Sequence, residues 1–312
     1  MVAVNHKNRK APPAPLSSAR SRFMQDRELN ELEAELAGGG SDEDMVYLRL
    51  AIVSRLMSLG LYPRARGDLA AVPPLLAAGG VTEDVPLITL KMHAMHARLL
   101  LALMDNDAAR DAAEKALAVD GVDAETAAEA KVTLAAVLVD TCRDDADLKR
   151  AEGLVRETIA MYDDEDLEFD EILGLAQLLM GKLLLMTGQS ETSCEHCLQL
   201  YEAMHSVLGD VHPLLGDILH LTGSAKMQMG KAEEALEQFD LSLKIRGELD
   251  VEGKHSDMAK SLRGLGQINH VLGKKAEAKP FFERARLVLV DAGFEASEPR
   301  VKEVDELLAA CV

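Results

Sequence analysis

The chain has 312 residues, of which 48% are hydrophobic and only 3% aromatic, and it contains no tryptophan. Alanine and leucine therefore supply the core, which favours packed helices over β-sheet, where aromatic and β-branched residues predominate. The formal net charge of −19 argues against binding to nucleic acid or to anionic membranes, because phosphate groups would be repelled. Four cysteines without the spacing of a disulfide framework indicate a reducing compartment, so we predict a cytoplasmic protein.

The N-terminal region differs from the rest in its charge. Residues 1–22 contain five basic residues and no acidic ones, and three prolines prevent a continuous helix. We predict a disordered basic tail here. An organellar transit peptide is the alternative, since such peptides are rich in arginine and serine and poor in acids. Residues 23–37 then read as one helix with a leucine stripe, which we expect to cap the body of the protein.

A small residue recurs at nearly constant spacing along the remaining chain. Successive members are 44, 42, 42, 42 and 43 residues apart. Turn glycines and a bulky residue four positions after each small residue follow the same phase in most units. Such a long period predicts an array of repeated structural units rather than a single globular core. The small residues are Ala65, Ala109, Ala151, Ser193, Ala235 and Ala278.

Residues 261–285 show what one unit contains. Leu262 and Gly266 lie on one face of a first helix, Gly273 ends that helix, and Ala278 and Phe282 lie on one face of a second. The small residues would let the two antiparallel helices approach closely, with the phenylalanine filling the space beside them. A helix pair of this kind cannot bury its apolar face alone, so we expect neighbouring pairs to stack.

This order of leucine, glycine, alanine and phenylalanine resembles the tetratricopeptide repeat, and the period of 42 residues is similar to the longer repeats of kinesin light chains. Residues 278–285, with an internal proline, are also similar to the second helix of that variety. The resemblance covers residues 42–295. It implies an all-α fold, a right-handed α-solenoid of about six repeats with N- and C-terminal capping helices. We assign the repeats to residues 42–80, 81–120, 121–164, 165–209, 210–253 and 254–293, and the last capping helix to residues 297–311.

The sequence contains few residues in arrangements suited to catalysis or metal binding. It has no GxxxxGK[ST], GxSxG or HExxH motif. His93 and His96 lie three apart on one predicted helix, but no third ligand shares their face. Cys194 and Cys197 have redox-like spacing, yet Cys197 takes the bulky core position of its unit, so we interpret it as a buried thiol. We therefore predict no enzymatic activity, no cofactor and no metal.

The candidate binding residues follow from the predicted solenoid. In stacked repeats of this family the first helices line a concave groove. The side chains that we expect to face it include several cations and hydrogen-bond donors, although the chain as a whole is acidic. Such donors suit a peptide carboxylate, a phosphate or exposed carbonyls; the alternative is that they are solvated positions paired with local acids. The predicted groove residues are Arg98, Leu101, Leu178, Lys182, Leu185, His220, Ser224, Arg263, Gln267 and His270.

We therefore predict a non-enzymatic scaffold that binds a partner peptide or helix, through a basic segment or a carboxylate of that partner. Neither nucleic acid nor membrane is an expected partner, and we expect a monomer or weak self-association. One alternative is a constitutive structural or assembly subunit of a larger complex. Another is a regulatory helical module, because residues 201–249 also resemble the helical C-terminal domain of SET-and-MYND methyltransferases. The catalytic part and the zinc-binding cysteines of those enzymes are missing, so the resemblance implies no methyl transfer.

Overall fold

The computed structural model describes residues 29–79, 81, 84–162, 170–249 and 255–311. The predicted basic tail and residues 23–28 of the predicted N-terminal cap lie outside these ranges. The helices are α1 Leu29–Gly38, α2 Asp42–Ser58, α3 Tyr62–Ala70, α4 Val72–Ala77, α5 Val85–Ala102, α6 Asn106–Leu117, α7 Ala124–Asp140, α8 Asp145–Met161, α9 Glu171–Met186, α10 Ser190–Leu208, α11 Pro213–Gln228, α12 Ala232–Glu248, α13 Met258–Val271, α14 Lys275–Asp291 and α15 Pro299–Ala309.

Most of these helices form consecutive pairs. The pairs are α2/α3, α5/α6, α7/α8, α9/α10, α11/α12 and α13/α14, and each packs on the next. The helix α1 packs on the first pair and α15 on the last. The predicted all-α solenoid is thus confirmed. Each pair falls within one of the six segments assigned above, and we propose that pair and repeat coincide.

The six recurring small residues are all completely buried, each at 0% exposure. The reason is clearest in the sixth pair, where a Cβ at Gly266 would lie 2.5 Å from Cε1 of Phe282. Gly223 faces Phe239 in the same way in the fifth pair, with a separation of 3.0 Å. In both pairs the glycine has no side chain, and the aromatic ring of the second helix fits into the space this leaves. The sequence period therefore marks the contact between the two helices of a pair.

Local sequence sets where the helices begin and end. Ser41 caps α2, since its hydroxyl accepts a hydrogen bond from the backbone N–H of Asp44 at 3.1 Å. The helix α3 ends at Ala70, two residues before α4 begins at Val72, since Pro73 lacks the N–H needed to continue α3. Left-handed backbone closes the turn within most pairs: Gly60 and Gly230 have φ of 69° and 75°. In the second pair Met104 occupies this position with φ of 62°, although it has a side chain.

The first and last pairs also meet each other. The hydroxyl of Tyr62 donates a hydrogen bond to Asp257 at 2.7 Å, and the hydroxyl of Ser256 donates one to the carbonyl of Gly60 at 2.6 Å. The guanidinium of Arg300 lies 5.8 Å from the centre of the Tyr62 ring. We call this set the closing contact: residues 58–63 on one side, residues 255–257 and 293–300 on the other. It joins parts of the chain that are nearly 200 residues apart, so the stack of pairs returns to its own beginning.

None of the helices in the described part of the chain combines the length and hydrophobicity needed to cross a bilayer.

Candidate protein-interaction surface

The first helices of the pairs form the inner layer of the solenoid. They pack directly on one another in the order α5, α7, α9, α11 and α13, whereas each second helix packs mainly on the first helices of its own pair and the next. Because the first helices approach one another directly, the stack curves towards them. We call the surface that these first helices expose, on the side towards which the stack curves, the inner face.

All ten predicted groove residues belong to first helices of the described pairs. Arg98 is exposed, and eight others are half-buried. Leu185 is 8% exposed and lies in an apolar cluster with Cys194 and Leu221, which places it in the core rather than on the surface. Contact of the other nine with a partner stays a prediction.

Cationic side chains from three neighbouring pairs gather in one part of the inner face. The cation cluster consists of Lys182, Arg246, Lys260 and Arg263, which surround His220. Burial and the positive charges of these four side chains hold the pKa of His220 well below its usual range. This histidine is therefore neutral at pH 7. Its ring packs against Phe239 with 5.0 Å between ring centres, and its Nδ1 is buried without a hydrogen-bond partner among the described residues.

The cations are held in place by acids, two of which lie on neighbouring helices. Lys182 forms an ion pair with Asp140 of α7. Nη1 of Arg263 lies 2.7 Å from Glu303 of α15, and Nζ of Lys260 lies 3.1 Å from Asp257. These pairs fix the long side chains in defined positions. They also mean that an incoming carboxylate has to compete with groups of this chain.

Two predicted groove residues of the sixth pair contact the C-terminal helix. Arg263 does so through Glu303, and Nε2 of His270 lies 3.4 Å from the carbonyl oxygen of Ala310. Gln267 lies between these two positions on α13 and is half-buried. At this end of the inner face, α15 therefore covers part of the surface that the sequence assigns to the groove.

The sequence analysis missed two members of the cluster, Lys260 and Arg246. Arg246 lies on the second helix α12. It is 1% exposed, yet it donates hydrogen bonds to Ser242 at 2.8 Å, to Asp217 at 2.6 Å and to Ser261. Ser242 in turn donates to the carbonyl of Gly216 at 2.6 Å. The network links α11, α12 and α13 beneath the inner face and satisfies a charge that would otherwise be costly to bury.

The repeat register could have revealed this position. A Cβ at Gly174 would lie 2.7 Å from the Met204 side chain, and Gly216 faces Arg246 one 42-residue period later. The arginine therefore occupies a core slot that a methionine fills in the pair before. A charged residue at a position that is apolar in the neighbouring repeat is the sequence signal that could have identified Arg246.

The histidine pair and the cysteine pair are the two places where the sequence has spacing that could suggest chemistry. Burial lowers the pKa of both His93 and His96, and the charge of Lys115 adds to this effect. Within the described residues no group of three or more potential ligands could hold a metal. Cys197 is completely buried, and burial raises the pKa of its thiol to about 12. A thiol of this kind is a poor nucleophile.

The family comparison agrees with this geometry. The tetratricopeptide repeat profile matches residues 173–248 and 216–286, which span most of the last three helix pairs. Residues 173–286 of this chain form tetratricopeptide repeats. The match covers the part of the chain in which the glycine and phenylalanine pattern is most regular.

Solved structures extend the likeness in fold over most of the chain. A Rap protein complexed with competence and sporulation factor is 13% identical, with a TM-score of 0.68, covering 91% of this chain and 78% of that one. NprR in complex with its cognate peptide NprX is 15% identical, with a TM-score of 0.65, covering 93% and 80%. A tetratricopeptide repeat protein from Parabacteroides merdae ATCC 43184 is 14% identical, with a TM-score of 0.52, covering 93% and 99%. At these identities the likeness concerns the fold alone. The sequence matches none of the curated proteins.

Proposed function

We propose that this chain is a non-enzymatic scaffold that binds an extended or helical segment of a partner protein on its inner face. One observation carries the proposal: a layer of packed first helices presents three partly exposed cations, Lys182, Lys260 and Arg263, although the chain has a net charge of −19. Packing between pairs holds this surface in shape, so little conformational entropy is lost on this side when a partner binds.

The comparisons support the class of function. The tetratricopeptide fold is typically a non-catalytic interaction module. Two of the similar structures are the Rap protein complexed with competence and sporulation factor and NprR in complex with its cognate peptide NprX. These ligands are properties of those two proteins. Their structures support the proposal because they show that helix pairs stacked in this way can accommodate a peptide.

The chemistry of the cluster suggests the partner's chemistry. Arg263 and Lys182 are donors suited to carboxylates, since charge-assisted hydrogen bonds are about twice as strong as neutral ones. We infer that the bound segment carries carboxylates, which replace Glu303 and Asp140 as partners of these cations. Because one ion pair is exchanged for another, the gain is modest and binding weakens as ionic strength rises.

Substituting the inner-face cations tests the proposal. We expect Lys182→Gln combined with Arg263→Gln to reduce the amount of partner that full-length protein captures from native lysate, measured by quantitative mass spectrometry. A matched control removes two charges from the outer helix α14, Lys279→Gln with Arg284→Gln, both at exposed positions. Equal capture by the inner-face variant and the control would remove the inner face from consideration.

A second candidate is a structural subunit of a larger assembly that contacts its neighbours through the outside of the solenoid. Exposed apolar side chains favour it, since Val271 is 77% exposed and Leu287 is 58% exposed. Size-exclusion chromatography with light scattering separates the two candidates. A monomer that captures a partner reversibly fits the scaffold, and co-purification in a fixed stoichiometric complex fits the subunit.

We also propose that the protein acts in the cytoplasm. The support is chemical: all four cysteines are free thiols, as is usual in a reducing compartment. Fluorescence microscopy of a C-terminally tagged chain tests this location. An organellar signal would instead favour the transit-peptide interpretation of residues 1–22.

A further inference from the structure

The first and last helix pairs share one hydrophobic core. A single cluster of buried apolar side chains contains Leu50 of α2, Leu262 of α13, Phe282 of α14 and Val304 of α15. In most repeat stacks each unit contacts only its neighbours, so the coupling between units falls with their distance along the chain. We propose that in this protein the first and last pairs form one cooperative unit, so that a disturbance at one end of the chain destabilises the other end more than the middle.

The shared cluster leaves out the middle of the chain. Among the described residues, none of its buried members lies between Leu103 and Met258, and Leu243 of α12 packs against it only as a partly buried neighbour. A separate cluster joins the second, third and fourth pairs and includes Leu134 of α7 and Leu179 of α9. The two ends are therefore connected more directly through the closing contact than through the pairs that lie between them in the sequence.

Buried polar groups inside this core determine which residues meet. The carboxylate of Asp257 accepts a hydrogen bond from the hydroxyl of Tyr62 at 2.7 Å. It also lies 3.1 Å from Nζ of Lys260 and 3.4 Å from Nη2 of Arg300, and Asp257 is only 8% exposed. A shifted contact would leave this charge buried without its partners, which is costly. The two ends are therefore held in one register.

The cooperative unit also acts as a brace on the inner face. Because the two ends of the stack are fixed to one another, a pair that rotates against its neighbour strains the closing contact. The inner face is thereby held at one curvature, and a surface held in this way is preorganised for a partner. That consequence for binding rests on the proposed function, whereas the coupling of the two ends does not.

Gly60 gives a direct way to disturb the last pair from the first. Its φ is 69°, and a Cβ there would lie 2.7 Å from the backbone nitrogen of Ser256, which cannot move as a side-chain end could. The matched control is Gly230→Ala in the fifth pair, where φ is 75° and nothing lies within 4 Å of the added Cβ. Both alanine variants carry similar backbone strain, and only Gly60→Ala pushes against the last pair.

Hydrogen exchange of the full-length chain, followed by mass spectrometry of its peptides, measures the effect helix by helix. We expect Gly60→Ala to accelerate exchange about tenfold or more in α2 and α3 and to a similar extent in α13, α14 and α15. In the helices from α8 to α10 the acceleration should be less than about threefold. Gly230→Ala should accelerate exchange mainly in α11 and α12.

A core substitution away from the turns tests the coupling independently. Leu50 is completely buried in α2, and Leu50→Ala removes apolar volume from the shared cluster, as Leu134→Ala does from the separate cluster. We expect Leu50→Ala to accelerate exchange more in α14 and α15 than in α8 to α10, and Leu134→Ala to do the reverse. If Leu50→Ala does not fold, Ile52→Val gives the same comparison, since it removes only one methyl group from a position that is 1% exposed.

Two results would overturn the proposal. The first is an effect of the α2 substitution that falls steadily from α2 to α15, or is equal in every helix, because either pattern would mean that the ends are not directly coupled. The second is exchange in α13 to α15 that Gly60→Ala accelerates no more than Gly230→Ala does, which would mean that the last pair does not depend on the first.

Discussion

Replacing Gly266 by alanine tests the close approach of the two helices in a pair. A Cβ at this position would lie 2.5 Å from Cε1 and 2.7 Å from Cζ of Phe282, and the ring is completely buried, so it has no free space to move into. Overpacking costs roughly 1–3 kcal/mol, while alanine in a helix interior gains about 1 kcal/mol over glycine. We therefore expect Gly266→Ala to destabilise the protein by up to about 2 kcal/mol.

A glycine-to-alanine substitution at a position with free space should stabilise the protein instead. Gly153 lies in the middle of α8, and nothing lies within 4 Å of a Cβ built there. Gly153→Ala should therefore stabilise the protein by about 1 kcal/mol through helix propensity alone. Urea unfolding followed by circular dichroism measures both variants under identical conditions. If Gly266→Ala stabilised the protein as much as Gly153→Ala does, the packing argument would be refuted.

A second substitution identifies the clashing partner. Phe282→Leu shortens the side chain that meets the new methyl group. In the double variant, Gly266→Ala with Phe282→Leu, we expect less destabilisation than the sum of the single effects. Strict additivity would mean that the two residues do not touch in solution.

Three further predictions follow from the described residues. The charges of Lys260 and Arg300 outweigh the effect of burial and hold the pKa of Asp257 well below its usual range. The unfolding free energy should therefore fall as the pH drops below about 4, the pKa in the unfolded chain, and Asp257→Asn should remove this part of the dependence in urea titrations between pH 6 and pH 3. Met104→Gly should raise the unfolding free energy by about 0.5–1 kcal/mol, because the left-handed backbone strains a side chain that is 40% exposed and contributes little packing; an unchanged urea midpoint would contradict this. A thiol reagent should modify only the two partly exposed cysteines of the folded protein, and Cys194 and Cys197 only after unfolding; rapid reaction of all four would contradict the burial.

The stacking register could be predicted from sequence because it depends on local geometry. A helix pair needs small residues where its helices cross and a bulky residue beside them, and these requirements repeat with every pair. Gly266 and Phe282 show the pattern most clearly, and the structure places them in contact. In the first three pairs the spacing of Ala65, Ala109 and Ala151 carried most of the signal, and it was sufficient because buried alanine marks the crossing point.

The closing contact could not be predicted in this way. It depends on the small rotation between successive pairs, which accumulates along the stack but does not affect the spacing of the repeats in the sequence. The residues that make it, such as Tyr62 and Ser256, look like ordinary turn residues when they are read locally. The acid partners of the inner-face cations were equally hidden, because Lys182 and Asp140 come from different pairs and meet only when those pairs stack.

A crystal structure of the full-length chain tests the stacked register most directly. We predict that the six recurring small residues, from Ala65 to Ala278, will each be fully buried against the first helix of their own pair. We also predict that successive first helices will pack side by side. Finding any of the six on the surface, or finding second helices on the inner side of the curve, would contradict the arrangement from which the proposed binding surface is derived.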